Sequence, residues 1–192
     1  MSNVQPQTRL PLSGNAALAA GALIQLVLGV EFVLAGLDKL LDPDFAMQLE
    51  QFVAASPAAT SGLLAPLLRG LVLPHPTLAA QLATFAELGA GVVLAGSAIE
   101  VARRRLPGRL GSHHGYEAPV ALLSACAAVV IAGVSATIYL LLGAGLPRVS
   151  GASAFGSPIA VELLLVPLAL AIGWLEIARF RALRAADNST IV

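Results

Sequence analysis

LAAQLATFAELGAGVVLAGSAIEVA, Leu78 to Ala102, is an apolar run with a glutamate, Glu87, near its middle and a second, Glu100, at its end. A helix that crosses a bilayer needs about 20 predominantly apolar residues, and this stretch is long enough. A second run, AALAAGALIQLVLGVEFVLAGL from Ala16 to Leu37, carries Glu31 in the same way. A carboxylate in hydrocarbon costs roughly 2.5–3.5 kcal/mol even on the lenient insertion scale. Such a group normally faces a bundle interior, pairs with another group, or carries function. Glu87 and Glu31 are therefore the best pointers to a site.

The rest of the chain agrees with a membrane setting. Of its 192 residues 57% are hydrophobic and only 11% charged, against about 25% charged in soluble domains. The formal net charge is zero, so nothing in the charge balance points to nucleic acid, and the lipid bilayer is the partner the composition implies. The length fits a single domain, 1–192. Abundant Ala, Gly and Leu suit close helix packing, because small residues let backbones approach. The single cysteine, Cys126, excludes an intrachain disulfide and a Cys-x-x-Cys redox pair. Its small apolar neighbours give it the reading of an inert packing thiol.

Four segments qualify as spans, at about 16–40, 78–102, 119–142 and 158–178. The fold class that follows is all-α: a polytopic membrane protein built as a four-transmembrane-helix bundle. Pro119 and Pro158 fall in first turns, where a missing N–H is harmless, and Ser157 is a candidate N-cap. Pro167 is expected to kink the fourth span. The first apolar run is too long for a signal-peptide core of about 7–15 residues and reads as a retained helix. Orientation follows the basic residues. Arg9, Arg103, Arg104, Arg105, Arg109, Arg179, Arg181 and Arg184 fall on one side, and Lys39, Arg69 and Arg148 on the other. Both termini are expected to be cytoplasmic, with the loops 41–77 and 143–157 facing outward.

The first outward loop has helical periodicity of its own. Phe45, Leu49, Phe52 and Val53 alternate with polar residues, and Thr60 and Ser61 precede Leu63, Leu64, Leu67, Leu68 and Leu71. Two short amphipathic interfacial helices are expected, either anchoring at the membrane surface or lying as a lid over the bundle. Leu73-Pro74-His75-Pro76 breaks the chain before the second span. The stretch RRRLPGRLGSHHG is a solvated turn. Its adjacent His113 and His114 point in different directions, so no metal site is expected. The tail DNSTIV reads as frayed.

A rise of 1.5 Å per residue puts Glu31 about 10 Å below Asp38, and Glu87 about 13 Å below Leu78, on a helix descending from the same face. The two carboxylates are thus expected at similar depth. Asp38 shares a stripe with Glu31, and Lys39 lies beside it. Glu162 enters about 6 Å below Pro158. The outer half of the bundle is expected to gather Glu31, Glu87 and Glu162 beneath Asp38, Lys39 and His75, with Arg69 and Arg148 near the rim. Each has a plainer alternative. Glu162 suits a helix N-terminus, Lys39 can snorkel to the headgroups, Glu31 can bond a neighbouring helix as a neutral acid, and Glu87 can belong to a structural network. Glu100 with Arg103 and Arg104, and Glu176 with Arg179, read as surface pairs at the cytoplasmic edge. Gly29 and Gly36 share a face, and Gly91 and Ala95 form a small-xxx-small pair, both read as close helix contacts.

Burial favours a neutral carboxyl and a nearby cation favours the charged form, so a cluster of both exchanges protons near neutral pH. Quinone chemistry needs such exchange, and an apolar cleft between helices with a few polar groups fits a quinone.

GVEFVLAGLDKLLDP (Gly29 to Pro43), the Phe45 that follows it, and ELGAGVVLAG (Glu87 to Gly96) together resemble the DoxX/DoxD family of small four-helix membrane proteins. The resemblance covers roughly residues 28–96 and rests on Gly29, Phe32, Ala35-Gly36, Lys39-Leu40, Glu87, Gly91 and Leu94 to Gly96. It implies a quinone-linked redox subunit of a bacterial inner membrane, with Glu87 and Lys39 as family positions. One branch of the family supplies the membrane subunit of thiosulfate:quinone oxidoreductase, and others are linked to sulfur metabolism or oxidative stress. It also implies a partner redox subunit. Glu31 rests on the physical argument alone. In this reading Glu87 and Glu31 are the catalytic candidates, and Lys39, Glu162, Asp38 and His75 the candidates for holding quinone. No haem, flavin, metal or iron–sulfur motif is seen. The alternatives are a non-enzymatic assembly or scaffold subunit, and a small-solute transporter with acids lining its path.

Overall fold

The computed structural model describes residues 12–105, 117–145 and 160–189. Every regular element among them is helical: α1 Leu12–Leu41, α2 Phe45–Ala55, α3 Pro57–Thr60, α4 Ala65–Leu67 running into a π-helical turn Leu68–Val72, α5 Pro76–Arg105, α6 Glu117–Leu141 and α7 Val161–Ser189. Four helices are long and apolar enough to cross a membrane, over Ala19–Leu41, Pro76–Arg103, Glu117–Leu141 and Val161–Ala185. The protein is an all-α, multi-pass membrane protein. Its outer surface agrees: Leu23, Val27, Leu34, Phe85, Val92, Val129 and Trp174 are exposed on all four spans, and large apolar side chains in such numbers suit hydrocarbon rather than water.

The spans differ from the expected bounds at their ends. α5 starts two residues earlier and continues to Arg105, α7 runs unbroken through Pro167, and the tail expected to fray is helical as far as Ser189. The expected N-cap at Ser157, the start at Pro158, Arg9, Arg109, His113, His114 and Arg148 lie outside the described residues.

α1 and α5 pack closest, antiparallel. A Cβ added at Gly29 would lie 2.6 Å from the Ala95 nitrogen, one at Gly91 2.6 Å from the Val33 nitrogen, and one at Gly36 2.9 Å from the Leu88 Cβ. Backbone meets backbone here, which only glycine permits. Gly36 opposite Leu88 fixes the register. By the same count Leu41 comes level with about residue 83, so the first two turns of α5 project past the end of α1. α2 packs against α5. The four spans share one apolar centre, with Leu28 and Phe32 from α1, Ala90 and Leu94 from α5, Ala128 and Ile131 from α6, and Ala169 and Ile172 from α7.

The outward loop folds over the end of α6. Val53, Ala59, Leu68 and Leu141 form a second buried cluster. Ser56 joins the two regions: its hydroxyl donates to the Leu141 carbonyl at 2.6 Å and accepts from the Ala58 N–H at 3.1 Å. It thus caps α3 and satisfies one of the last carbonyls of α6. α6 itself ends in a Schellman turn, with Ala144 N–H on the Tyr139 carbonyl and Gly143 N–H on the Leu140 carbonyl, both 3.0 Å, and Gly143 at φ 91°. Arg69 donates to the carbonyls of Ala59 and Thr60. Of the two expected interfacial helices, the first is α2. The second, expected around Leu63 to Leu71, is the continuous helical segment of α4 and the π turn, 65–72, with Pro66 in its first turn, and the short α3 precedes it.

Candidate functional site

Lys39 and Glu87 meet. Lys39 stands in the last turn of α1, where the helix dipole favours a cation. Its Nζ lies 2.6 Å from Glu87 Oε2. The two side chains differ sharply in exposure, 25% for Lys39 and 3% for Glu87. The ammonium also reaches the Ala35 carbonyl at 3.5 Å and lies 5.8 Å from the centre of the Phe45 ring. A carboxylate buried this far needs a partner, since an unpaired charge in a low dielectric is expensive. The register explains why Lys39 supplies it. The last turn of α1 faces the middle of α5 because α5 begins so far beyond it.

A groove of about 270 Å³ opens beside the pair, lined by Lys39, Phe45, Thr77, Gln81, Thr84 and Phe85 among others. Lys39 belongs to its wall, and Glu87 lies behind Lys39. Thr84 spends its hydroxyl on the Ala80 carbonyl, 2.9 Å away. Asp42, also in the wall, is committed to the turn before α2: Oδ1 accepts from the Asp44 N–H and Oδ2 from Gln48 Nε2, both 2.9 Å. The charged groups in the groove wall are the Lys39 ammonium and the Asp42 carboxylate, with Gln81 and Thr77 as neutral neighbours.

The other expected site residues do not join this pair. The packed stripe of α1 runs Gln25, Leu28, Gly29, Phe32, Gly36 and Lys39. Glu31 falls about 100° around the helix from Phe32, and it is exposed. Asp38 does share its stripe with Glu31, and is exposed with it. The expectation of equal depth for Glu31 and Glu87 fails for the register reason. Glu87 comes level with Leu37, six residues or about 9 Å along α1 from Glu31, and bonds Lys39 just beyond. His75 is exposed in the bend before α5, and Glu162 is half-buried in the first turn of α7. Neither makes a polar contact with Lys39 or Glu87. Arg69 is occupied by loop carbonyls.

Two readings need correction. Glu176 is not a surface residue. It does pair with Arg179 at 3.2 Å, but it is 5% exposed and accepts a hydrogen bond of 2.7 Å from Gln25 Nε2 across the α1–α7 contact. Arg179 lies one turn away on the same helix, so local spacing suggested a surface pair while the distant partner decided the burial. Cys126 is exposed rather than packed inside, on a wholly apolar surface groove with Trp174 and Val129.

Gln25 is the residue whose signal was present and unread, as the one amide within the Ala16–Leu37 run. It belongs to a layer. Gln25, Ser97, Ser124 and Glu176 are all buried, one on each span, and each lies three or four residues from Leu28, Leu94, Ala128 and Ile172 of the shared apolar centre, always toward the end holding the start of α1 and the end of α7. Gln25 Oε1 and the hydroxyls of Ser97 and Ser124 are buried without a hydrogen-bond partner among the described residues. The bundle therefore has two polar levels, the Lys39–Glu87 pair and this layer, with the apolar cluster of Leu28, Phe32, Leu94 and Ile131 between them.

Comparison with protein-family models, with curated proteins and with solved structures gives no match to this chain.

Proposed function

We propose that the chain is a quinone-linked membrane redox subunit, and that the groove beside Lys39 receives the polar head of a lipid-soluble quinone. The observation that carries this reading is the Lys39–Glu87 pair, in which the partly exposed ammonium sits in the groove wall and the buried carboxylate stands behind it. A cleft with apolar walls, one strong donor, neutral polar groups and the Asp42 carboxylate toward its rim suits a quinone carbonyl on a flat ring. Reduction of that quinone takes up two electrons and two protons. Lys39 would hydrogen-bond the carbonyl where negative charge develops, and Glu87 would hold the ammonium in place. The electrons would come from a partner redox subunit, with sulfur compounds such as thiosulfate as the donor class that the DoxX/DoxD resemblance suggests. The two family positions of that resemblance, Lys39 and Glu87, are the residues that pair. The surplus of Arg on one side supports cytoplasmic termini in a bacterial inner membrane.

The test is direct. Lipids extracted from the purified chain are assayed for quinone, beside Lys39→Met and Glu87→Gln. Quinone carried by the wild type and lost from Lys39→Met, with helicity unchanged, supports the reading. Wild-type protein from quinone-replete membranes that carries none overturns it.

A scaffold subunit is the second reading, favoured by the glycine contacts of α1 and α5, which the ion pair would simply lock. The transporter reading has the packed apolar centre between the two polar levels against it.

A further inference from the structure

Glu31 stands one residue from the midpoint of the span Ala19–Leu41. Either end of the span is about 15 Å or more away along the helix, too far for a glutamate side chain to snorkel. The side chain is exposed on the bundle's outside. Its neighbours on that face, Val27, Val30 and Leu34, are 61%, 46% and 57% exposed, so the face is otherwise apolar. No hydrogen bond or ion pair reaches Glu31 among the described residues. A carboxyl in this position faces the middle of the hydrocarbon, where ionisable groups are otherwise found paired or lining water. Lys39, the nearest basic residue on α1, is turned to Glu87.

We infer that this face of α1 is an interface for a transmembrane helix of another subunit, one that carries a lysine or arginine near its midpoint opposite Glu31. Charge decides the class of partner. The face holds two acids, Glu31 and Asp38, seven residues apart on one stripe, and both are exposed. No basic side chain shares that stripe. A second copy of the chain inserted in the same orientation would set Glu31 against Glu31 and Asp38 against Asp38, acid facing acid with no cation between them. Lipid headgroups do not reach the midplane. A basic helix satisfies the carboxylate with a charge-assisted hydrogen bond in a low dielectric, and the exposed Val and Leu side chains around it supply the packing on which helix association in lipid depends.

The test uses the full chain in lipid vesicles with synthetic spanning helices as probes. One is a polyleucine helix with a central lysine, one has leucine throughout, and one has a central glutamate. Association is followed by fluorescence transfer. The lysine helix is expected to bind the wild type at least tenfold more tightly than the leucine helix, and Glu31→Leu is expected to erase the difference. Because residue 31 faces outward, Glu31→Leu keeps the monomer fold, which circular dichroism verifies. Equal binding of lysine and leucine helices, or unchanged lysine-helix binding by Glu31→Leu, overturns the inference. So does wild-type protein that pairs with itself and is made monomeric by Glu31→Leu, which would give the face to a second copy. The inference stands apart from the quinone reading: Glu31→Leu should leave bound quinone in place, and Lys39→Met should leave lysine-helix binding intact.

Discussion

The two faces of α1 treat acidic side chains in opposite ways. The face toward α5 is built of glycines and ends in an ion pair, so Glu87 is buried at 3% exposure and held at 2.6 Å. The face turned outward carries Glu31 at the middle of the span, with no hydrogen bond or ion pair among the described residues. Both are carboxylates in long apolar runs, and both break the same rule about charge in hydrocarbon. The difference teaches that an intramembrane acid reports on a contact, and that the contact lies either inside the chain or beyond it.

The most damaging way to break the comparison is to remove the close approach on which the inner face depends. Gly91→Leu places side-chain atoms where the Val33 nitrogen already sits 2.6 Å from an added Cβ. Backbone does not yield as a side chain does, so the loss should reach or exceed the ~3 kcal/mol upper end for overpacking. Detergent-titrated unfolding would register it as failure to reach the native baseline.

Breaking the ion pair on one side only comes next. Lys39→Met leaves a buried carboxylate alone, and should lower stability by about 3–5 kcal/mol. The double variant with Glu87→Leu should recover most of that, because an apolar pair of similar size replaces the ions. A double variant no better than the single would show that the pair is not the source of the loss.

At the other polar level, Gln25→Leu removes the donor to Glu176 and leaves that carboxylate with Arg179. A loss of about 1–3 kcal/mol is expected, with α1–α7 separation visible as faster amide exchange at the ends of those helices. Ser56→Ala should be milder, about 1 kcal/mol, and confined to residues 45–73, where proteolysis would detect a loosened loop while the spans stay intact. Glu31→Leu should be the weakest in the isolated chain, since nothing among the described residues bonds to Glu31. A marked loss of monomer stability would erase the contrast between the two faces.

Much of the architecture was legible in advance. Apolar run lengths located all four spans, and the small-xxx-small spacing of Gly91 and Ala95 anticipated the helix contact at Gly29, because both signals are local in sequence. Lys39 and Glu87 were both candidates, yet the partner assigned by depth to Glu87 was Glu31. Depth was counted from an assumed common rim, whereas α5 begins two turns beyond the end of α1 and shifts the register by that amount. Glu176 was misread for a related reason. Its arginine is visible one turn away, while Gln25 lies 151 residues distant, and no local pattern connects them.

The sequence by itself determined that this chain is a bundle of four membrane-crossing helices, because the hydrophobic cost of each run is a property of the run alone. It also determined which polar residues had to be explained. Only the tertiary structure decided which explanation each one receives. A carboxylate's environment depends on helix rotation and on register against a neighbour, and those are set by where two glycine-lined backbones touch.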